Sequence, residues 1–565
     1  YLELAKYFLD IRKGGEEYNQ AQKPVTEQDK IVGHAVRATY MYSGMADVAA
    51  IKGETAYTAA LDKIWDDLIG TKYYITGGIG SSGSNEGFGE PYDLPNMSAY
   101  CETCASIGLV YWNYRMFLLT GDSKYYDILE RTLYNALLSG VSLSGDHFFY
   151  PNVLESRGQH ERSPWFGCAC CPSNICRFMP SIPGYVYAHD KSNIYVNLYI
   201  QNTAEINFNG NNVKLEQTTN YPWDGHITLT VNPWETGTFG IALRIPGWAK
   251  GEAVPGDLYH FLPDENRPYV ITVNGVAAKY MLIKGYAVIV KEWKAGDRID
   301  VNFPMPVRKI AANQLVTADH DKIALQRGPL VYCLEWPDNR QGHVLDLVLN
   351  PEAGIAPSFN SQLLNGVETL SGKVQKAIQT AEGNQLSDEC DFTAIPYYAW
   401  ANRGTGEMQV WIASKTTAAR PVPPPTIASR SKVSGSTKTS ALSAVNDHDI
   451  PSNSNDHSLT YFHWWPKKDT TEWIQYDLGE KMKVSECSVY WFDDGPWGGC
   501  RVPDSWRILY KSGNKWIPVK TDENYAVTKD MLNTIKFKPV ATTALRLEVR
   551  LQKEYSSGVY EWSVK

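Results

Sequence analysis

Between residues 57 and 68 the apolar positions Tyr57, Ala60, Leu61, Ile64, Trp65 and Leu68 recur three and four residues apart. That stripe predicts a helix with one buried face. The same period carries Tyr126, Leu129, Leu133, Ala136 and Leu137, with Asp122 as the expected N-cap and Gly140 just past the end. Residues 107–119 are apolar almost all round and predict a deeply buried helix. Further helices are expected near residues 1–13, 29–51 and 174–188, giving six before residue 190.

From about residue 193 the period drops to two. Tyr195–Ile200, His226–Val231, Gly240–Ile245, Tyr269–Val273 and Tyr286–Val290 alternate apolar with polar positions, as half-buried strands do. Asn274-Gly275 and Ala295-Gly296-Asp297 are turn signals between them. The pattern predicts a multidomain α plus β chain. A helical domain fills residues 1–190, and antiparallel β-sandwich material, in two units, fills 191–420. The run Arg420-Pro421-Val422-Pro423-Pro424-Pro425 opens a stiff linker over 421–440. Residues 441–565 then read as a compact, tryptophan-rich β-sandwich module.

At 565 residues the chain exceeds what one core supports. Its net charge of -8 argues against a nucleic-acid partner, which would call for a basic face. No run approaches the ~18–20 apolar residues of a membrane helix. The chain opens Tyr1-Leu2-Glu3, without Met and without a visible signal peptide, as a trimmed chain would. The 18 Trp and 35 Tyr suit large β-rich cores and equally suit sugar-stacking faces.

Cysteine usage changes this picture. Six of the ten cysteines lie between Cys101 and Cys176, four of them in Cys168-Ala169-Cys170-Cys171-Pro172-Ser173-Asn174-Ile175-Cys176. Adjacent thiols do not suggest a disulfide framework, whereas soft thiolates suit zinc and a Glu oxygen can complete a tetrahedron. Glu102, Cys104, Cys170 and Cys171 make such a set. Positions 102 and 104 point about 200° apart on a regular helix, so they can share an ion only where the chain is just entering one. There the helix dipole also favours thiolate and carboxylate. Gly167 and Pro172 predict an irregular loop around Cys170-Cys171. A catalytic site and a closed structural zinc site both fit. Cys487 and Cys500 are either an oxidised pair or two separate buried thiols.

The glycine-rich stretch Thr76–Phe88 lacks the Lys-Ser/Thr ending of a phosphate loop and the spacing of a dinucleotide fingerprint. It presents Glu86, next to Gly87-Phe88, on flexible backbone: either a general acid or an ordinary solvated carboxylate. His34, after Gly33, is either a satisfied core histidine or a contact to a substrate hydroxyl.

Taken together, Glu102-Thr103-Cys104-Ala105-Ser106, Trp165–Pro172, the Gly77–Phe88 loop and Gly33-His34-Ala35-Val36-Arg37 resemble the beta-L-arabinofuranosidases of glycoside hydrolase family 127 and the related family 146. So do Arg244-Ile245-Pro246-Gly247-Trp248 and Arg327-Gly328-Pro329-Leu330-Val331-Tyr332. The likeness spans about residues 1–415. It implies a zinc ion held by Glu102, Cys104, Cys170 and Cys171, with Cys170 as nucleophile and Glu86 as acid/base. It also implies His34 and Tyr150 as sugar contacts. The activity implied is a retaining exo-glycosidase releasing terminal beta-L-arabinofuranose from an arabinose-containing plant oligo- or polysaccharide, in a periplasmic or extracellular setting. The rival reading is a non-catalytic carbohydrate-binding protein with a structural zinc.

The resemblance further implies an (α/α)6 barrel of twelve helices. Six are predicted here, so the expectation is the C-terminal half of that barrel, without its N-terminal half. The tail resembles a discoidin-like (factor V/VIII type C) carbohydrate-binding module through Trp473–Gly479, Pro503-Asp504-Ser505-Trp506 and Gly558–Trp562, and family 146 members often carry such tails. That likeness implies glycan binding through loop aromatics, for which Trp464, Trp465 and Trp497 are candidates. It also implies a structural Ca2+, to which Asn446-Asp447-His448-Asp449 could contribute.

Overall fold

The computed structural model describes residues 1–565 apart from 264–266, 340–342, 381, 382, 438, 452, 457, 458 and 497. The chain divides into two compact units, Tyr1–Pro421 and Val422–Lys565. No helix among the described residues is long and apolar enough to cross a membrane.

Before residue 190 the first unit has six α-helices: α1 (Leu2–Asp10), α2 (Ala35–Lys52), α3 (Thr55–Thr71), α4 (Thr103–Thr120), α5 (Lys124–Thr132) and α6 (Cys170–Phe178). α2 begins later than the apolar pattern suggests. Gly33, at φ +73°, turns the chain in the left-handed region, and a Cβ there would lie 2.0 Å from the Glu17 carbonyl oxygen. His34 then caps the helix, its Nδ1 accepting the Val36 N–H at 3.2 Å. α4 is buried along nearly all its length, although Leu118 near its end is exposed. Burial of Met116 and Phe117 contributes about 1.5–3 kcal/mol each. Trp65 donates to Asn113 Oδ1 at 2.8 Å and ties α3 to α4.

The helix expected over 122–137 does not run straight through. Asp122 accepts the Lys124 N–H at 2.9 Å, but after Thr132 the chain widens into a π-turn, Leu133–Leu137. There the Ala136 N–H donates to Thr76 O at 3.0 Å, and the Asn135 side chain bridges Pro329 O (3.0 Å) and the Val331 N–H (2.8 Å). Neighbouring backbone takes over hydrogen bonds that an α-helix would keep to itself.

Two sheets of this unit face a common core. The first has the order Val276–Ala277, Val270–Val273, Asp297–Asn302, His226–Pro233, Asn211–Thr219, Asn202–Phe208. The second runs Met281–Ile283, Tyr286–Trp293, Gly237–Arg244, Asn193–Val196, Tyr187–His189. Val196, Leu215, Leu229, Ile241, Ile289 and Ile299 interdigitate between them. Within these two sheets one pairing departs from the antiparallel expectation: Asn193–Val196 runs parallel to Gly240–Leu243. Between these strands the chain builds three strands of the opposite sheet, the long crossover that parallel neighbours need. The strand expected over 195–200 stops at Val196. Asn197 is fully buried and bonded to Arg244 Nε (2.6 Å) and the Tyr286 hydroxyl (2.6 Å). A third, larger sheet carries Val307–Ala312, Lys322–Arg327, Leu330–Glu335, Val367–Thr380 and Cys390–Pro396. Its Ile310, Ala324, Val331 and Ile395 share one core with the helices.

The second unit is a sheet ordered Phe462–His463, Gly558–Val564, Thr471–Phe492, Leu532–Arg550, Ser505–Ser512, Lys515–Pro518, with Lys432–Gly435 paired to Thr471–Phe492. Tyr476 stacks on Trp562 in its core at 4.0 Å. Trp464, expected on a sugar-binding loop, is fully buried: it packs edge-on to Phe462 and its Nε1 donates to Ser436 at 3.2 Å. Its ring has no free face for a sugar. Trp465 is 48 % exposed, and Trp497 lies outside the described residues.

Candidate active site

Three helix N-termini supply all the predicted residues except Glu86 and Tyr150. His34 is the N-cap of α2, Glu102 the N-cap of α4, and Cys170 and Cys171 the first two residues of α6. The partial positive charge at each terminus favours thiolates and carboxylates. The irregular loop expected around Cys170-Cys171 is instead a helical first turn. Proline is tolerated there because the N–H it lacks has no intrahelical partner anyway, and Pro172 is the third residue of α6.

Glu102, Cys104, Cys170 and Cys171 bring their ligand atoms together. Cys171 Sγ lies 3.7 Å from Cys104 Sγ and 3.8 Å from Cys170 Sγ. Glu102 Oε1 lies 3.5 Å from Cys170 Sγ and 3.7 Å from Cys171 Sγ. A tetrahedral zinc with sulfur at ~2.3 Å and oxygen at ~2.0 Å requires S···S edges of about 3.8 Å and S···O edges of about 3.5 Å. Glu102 is 2 % exposed, and its Oε2 has no hydrogen-bond partner. Burial, followed by the charge on Cys170, pushes its carboxyl up to about 8. The donor set thus fits a soft divalent cation, which would favour the ionised carboxylate and thiolates that burial disfavours.

The three sulfurs differ. Cys104 and Cys171 are buried, whereas Cys170 is only partly so. Cys170 is held well below the usual thiol range, chiefly by Cys104 and then Cys171, with Tyr150 and Glu102 adding to the effect. Cys104 is pushed up chiefly by Cys170, and Cys171 chiefly by Cys104. Of the cluster's three sulfurs, that of Cys170 belongs to the least buried residue. The Tyr150 hydroxyl lies 3.1 Å from that sulfur. Tyr150 is held from behind, since its carbonyl accepts the Thr103 N–H at 3.0 Å.

Glu86 sits at left-handed φ +50° in the turn closed by Ser82 and Gly87, whose backbones exchange hydrogen bonds of 3.0 and 3.1 Å. The surrounding glycines serve close approach rather than the flexibility expected of them. A Cβ on Gly87 would sit 1.9 Å from Gly33 O, and residues 73–81 are buried. Glu86 Oε2 lies 3.2 Å from His34 Nε2, and Oε1 accepts the Tyr100 hydroxyl at 2.8 Å. Burial lowers the His34 pKa, so the ring is neutral near pH 7. His34, Glu86 and Glu102 form a second cluster with atoms within 4.8 Å of one another, so Glu102 belongs to both groups. Every predicted site residue is thus gathered in one region. Tyr100 was missed because a single tyrosine among 35 carries no spacing signal.

The calcium expected near Asn446–Asp449 gains no support. Among the described residues, both clusters of three or more His, Cys, Asp or Glu lie in the region just described. All ten cysteines are free, Cys487 and Cys500 included.

Comparison with known proteins gives the same picture over most of the chain. Family models for the glycoside hydrolase family 127 beta-L-arabinofuranosidase match residues 1–184 (catalytic domain), 193–305 (middle domain) and 307–413 (C-terminal domain). An F5/8 type C domain model matches 427–562. The non-reducing end beta-L-arabinofuranosidase of Bifidobacterium longum subsp. longum is 34 % identical over 466 residues, covering 73 % of this chain and 67 % of that protein. A solved family 127 beta-arabinofuranosidase is 50 % identical at TM-score 0.73, covering 75 % of this chain and 67 % of that one. The family 127 beta-L-arabinofuranosidase from Geobacillus stearothermophilus T6 is 40 % identical at TM-score 0.68, covering 74 % and 69 %. This chain belongs to glycoside hydrolase family 127 and carries an F5/8 type C domain behind the family's three domains.

Proposed function

We propose that the protein is a retaining exo-glycosidase that releases terminal beta-L-arabinofuranose from an arabinose-containing glycan, with Cys170 as nucleophile and Glu86 as acid/base. The observation that carries this reading is the accessible Cys170 sulfur, 3.1 Å from Tyr150 and 3.5 Å from Glu102, with Glu86 beside the same carboxylate. In the first step the Cys170 sulfur bonds to the anomeric carbon as the glycosidic C–O bond breaks, and Glu86 gives its proton to the leaving oxygen. In the second, the Glu86 carboxylate takes a proton from water. The water oxygen bonds to the anomeric carbon, the C–S bond breaks, and arabinose leaves with its configuration retained. Tyr150 donates to the thiolate, and His34, beside Glu86, is a sugar contact.

Glu102, Cys104, Cys170 and Cys171 would hold zinc. Bound there, it would keep the thiols ionised near neutral pH and fix their orientation. The domain division proposed is helical 1–190, β-sandwich 191–420, linker 421–440 and β module 441–565. The helices are assigned to an (α/α)6 barrel on family likeness.

Hydrolysis of aryl beta-L-arabinofuranoside against its alpha anomer tests the reading, with NMR of the first-formed sugar. Release from the beta anomer alone, with retention, is expected. Chelation of the metal should abolish it and added zinc should restore it. Cys170→Ser should lower kcat by about 1000-fold or more. Near-wild-type turnover by Cys170→Ser refutes the nucleophile, and inverted product refutes the two-step scheme.

A further inference from the structure

Both oxygens of the Glu86 carboxylate are held, and by different kinds of group. On Oε2 stands His34 Nε2, at 3.2 Å. His34 Nδ1 accepts the Val36 N–H, so the proton of the neutral ring is assigned to Nε2, which acts only as a donor. On Oε1 stands the Tyr100 hydroxyl, at 2.8 Å. A hydroxyl both donates and accepts, and its hydrogen rotates to suit. Glu86 must alternate between acid and carboxylate in the cycle proposed above. The Tyr100 hydroxyl can donate to Oε1 both in the carboxylate and in the acid, where Oε1 is the carbonyl oxygen and the acid proton stays free for the leaving oxygen.

The backbone beneath Tyr100 is well anchored. Its carbonyl accepts the Asn152 N–H at 3.0 Å, and the next residue, Cys101, donates to Gly80 O at 2.8 Å. A Cβ built on Gly83 would meet the Tyr100 ring at 3.4 Å, so the ring lies along the Glu86 turn. The ring also neighbours Tyr150, with centroids 6.1 Å apart, and Tyr150 reaches the Cys170 sulfur. Tyr100 is thus placed between the acid/base and the aromatic residue beside the nucleophile.

We propose that Tyr100 is a positioning residue for the acid/base, holding the Glu86 carboxyl in one orientation through both half-reactions. This rests on the reading of Glu86 as acid/base. Tyr100→Phe removes the hydroxyl and keeps the ring. The readout is kcat/KM on two beta-L-arabinofuranosides: a dinitrophenyl glycoside, whose leaving group needs no proton, and a methyl glycoside, whose leaving group does. Loss of a hydrogen bond to a charged group predicts a drop of about 10- to 100-fold on the methyl glycoside. On the dinitrophenyl glycoside kcat/KM stays within about 2-fold of wild type, because protonation does not limit that step. Zinc content and melting temperature stay at wild-type values. An equal loss on both substrates, no loss on the methyl glycoside, or an unfolded or zinc-depleted variant overturns the proposal. Glu86→Gln is measured alongside. If it lacks the leaving-group split, the acid/base reading fails. If it shows the split and Tyr100→Phe does not, only the role of Tyr100 fails.

Discussion

His160 shows how a side chain away from the sulfurs shapes the site. It stacks on Phe149 (4.6 Å) and lies over Trp400 (5.8 Å), and its Nε2 stands 3.1 Å from Pro151 O. It therefore supports the Phe149–Pro151 backbone that presents Tyr150. Burial pushes its pKa down to about 4. A histidine depressed below its unfolded value of about 6.5 stabilises the fold above that pH, and the contribution is lost as pH falls toward the folded value, because the unfolded chain binds the proton first. The full window is worth about 3 kcal/mol at most, and the part between pH 7 and 5 about 2 kcal/mol. Denaturant titrations at those two pH values should show His160→Gln losing about 2 kcal/mol less than wild type on acidification. Equal losses would remove His160 from this role. At this scale the sequence announced the thiols and Glu102, because their grouping is rare. It was silent on which sulfur is accessible, since that depends on the burial of Cys104 and Cys171.

The motif Arg244-Ile245-Pro246-Gly247-Trp248 acts at the level of elements. Arg244 is fully buried and joins strand Gly237–Arg244 to α5 through Asp127 (2.8 Å) and Glu130 (2.5 Å). The Tyr221 hydroxyl donates to Glu130 at 2.7 Å, and the Gly247 N–H to Asp127 at 3.0 Å. Removing one member of such a network strands buried charge. Arg244→Ala should therefore cost about 3–5 kcal/mol in urea unfolding, while a loss under about 1 kcal/mol would show that the network is not a clamp. The residues that carried the family likeness in the β region are thus a seam between helix and sheet. The elements were legible where period and punctuation agreed, as in α3 or the Asn274-Gly275 turn, where both residues adopt positive φ. They were misread where one residue has two uses. Pro172 marks a loop in many contexts but sits in the first turn of a helix here, and Pro180 and Pro183 turn the end of the helix expected over 174–188 into the 3-10 segment Met179–Tyr185.

Across the whole molecule, the change from helical to alternating period was visible in the chain because each period reports a buried face. The parallel pairing of Asn193–Val196 with Gly240–Leu243 was not, since strand order depends on a crossover and leaves no local mark. The candidate site lies within the first unit, and its parts come from α2, α4, α6 and the two segments that carry Glu86 and Tyr150. Residues more than 130 positions apart, such as His34 and Cys170, reach one region only because three helices begin there. That convergence matters chemically if one sulfur bonds to a furanose. The direct measurement is peptide mapping by mass spectrometry after the enzyme is quenched during turnover of a slow beta-L-arabinofuranosyl substrate. The account predicts one pentosyl group attached to Cys170 in wild type and none in Cys170→Ser. A pentosyl group on a carboxylate or on another cysteine would contradict it.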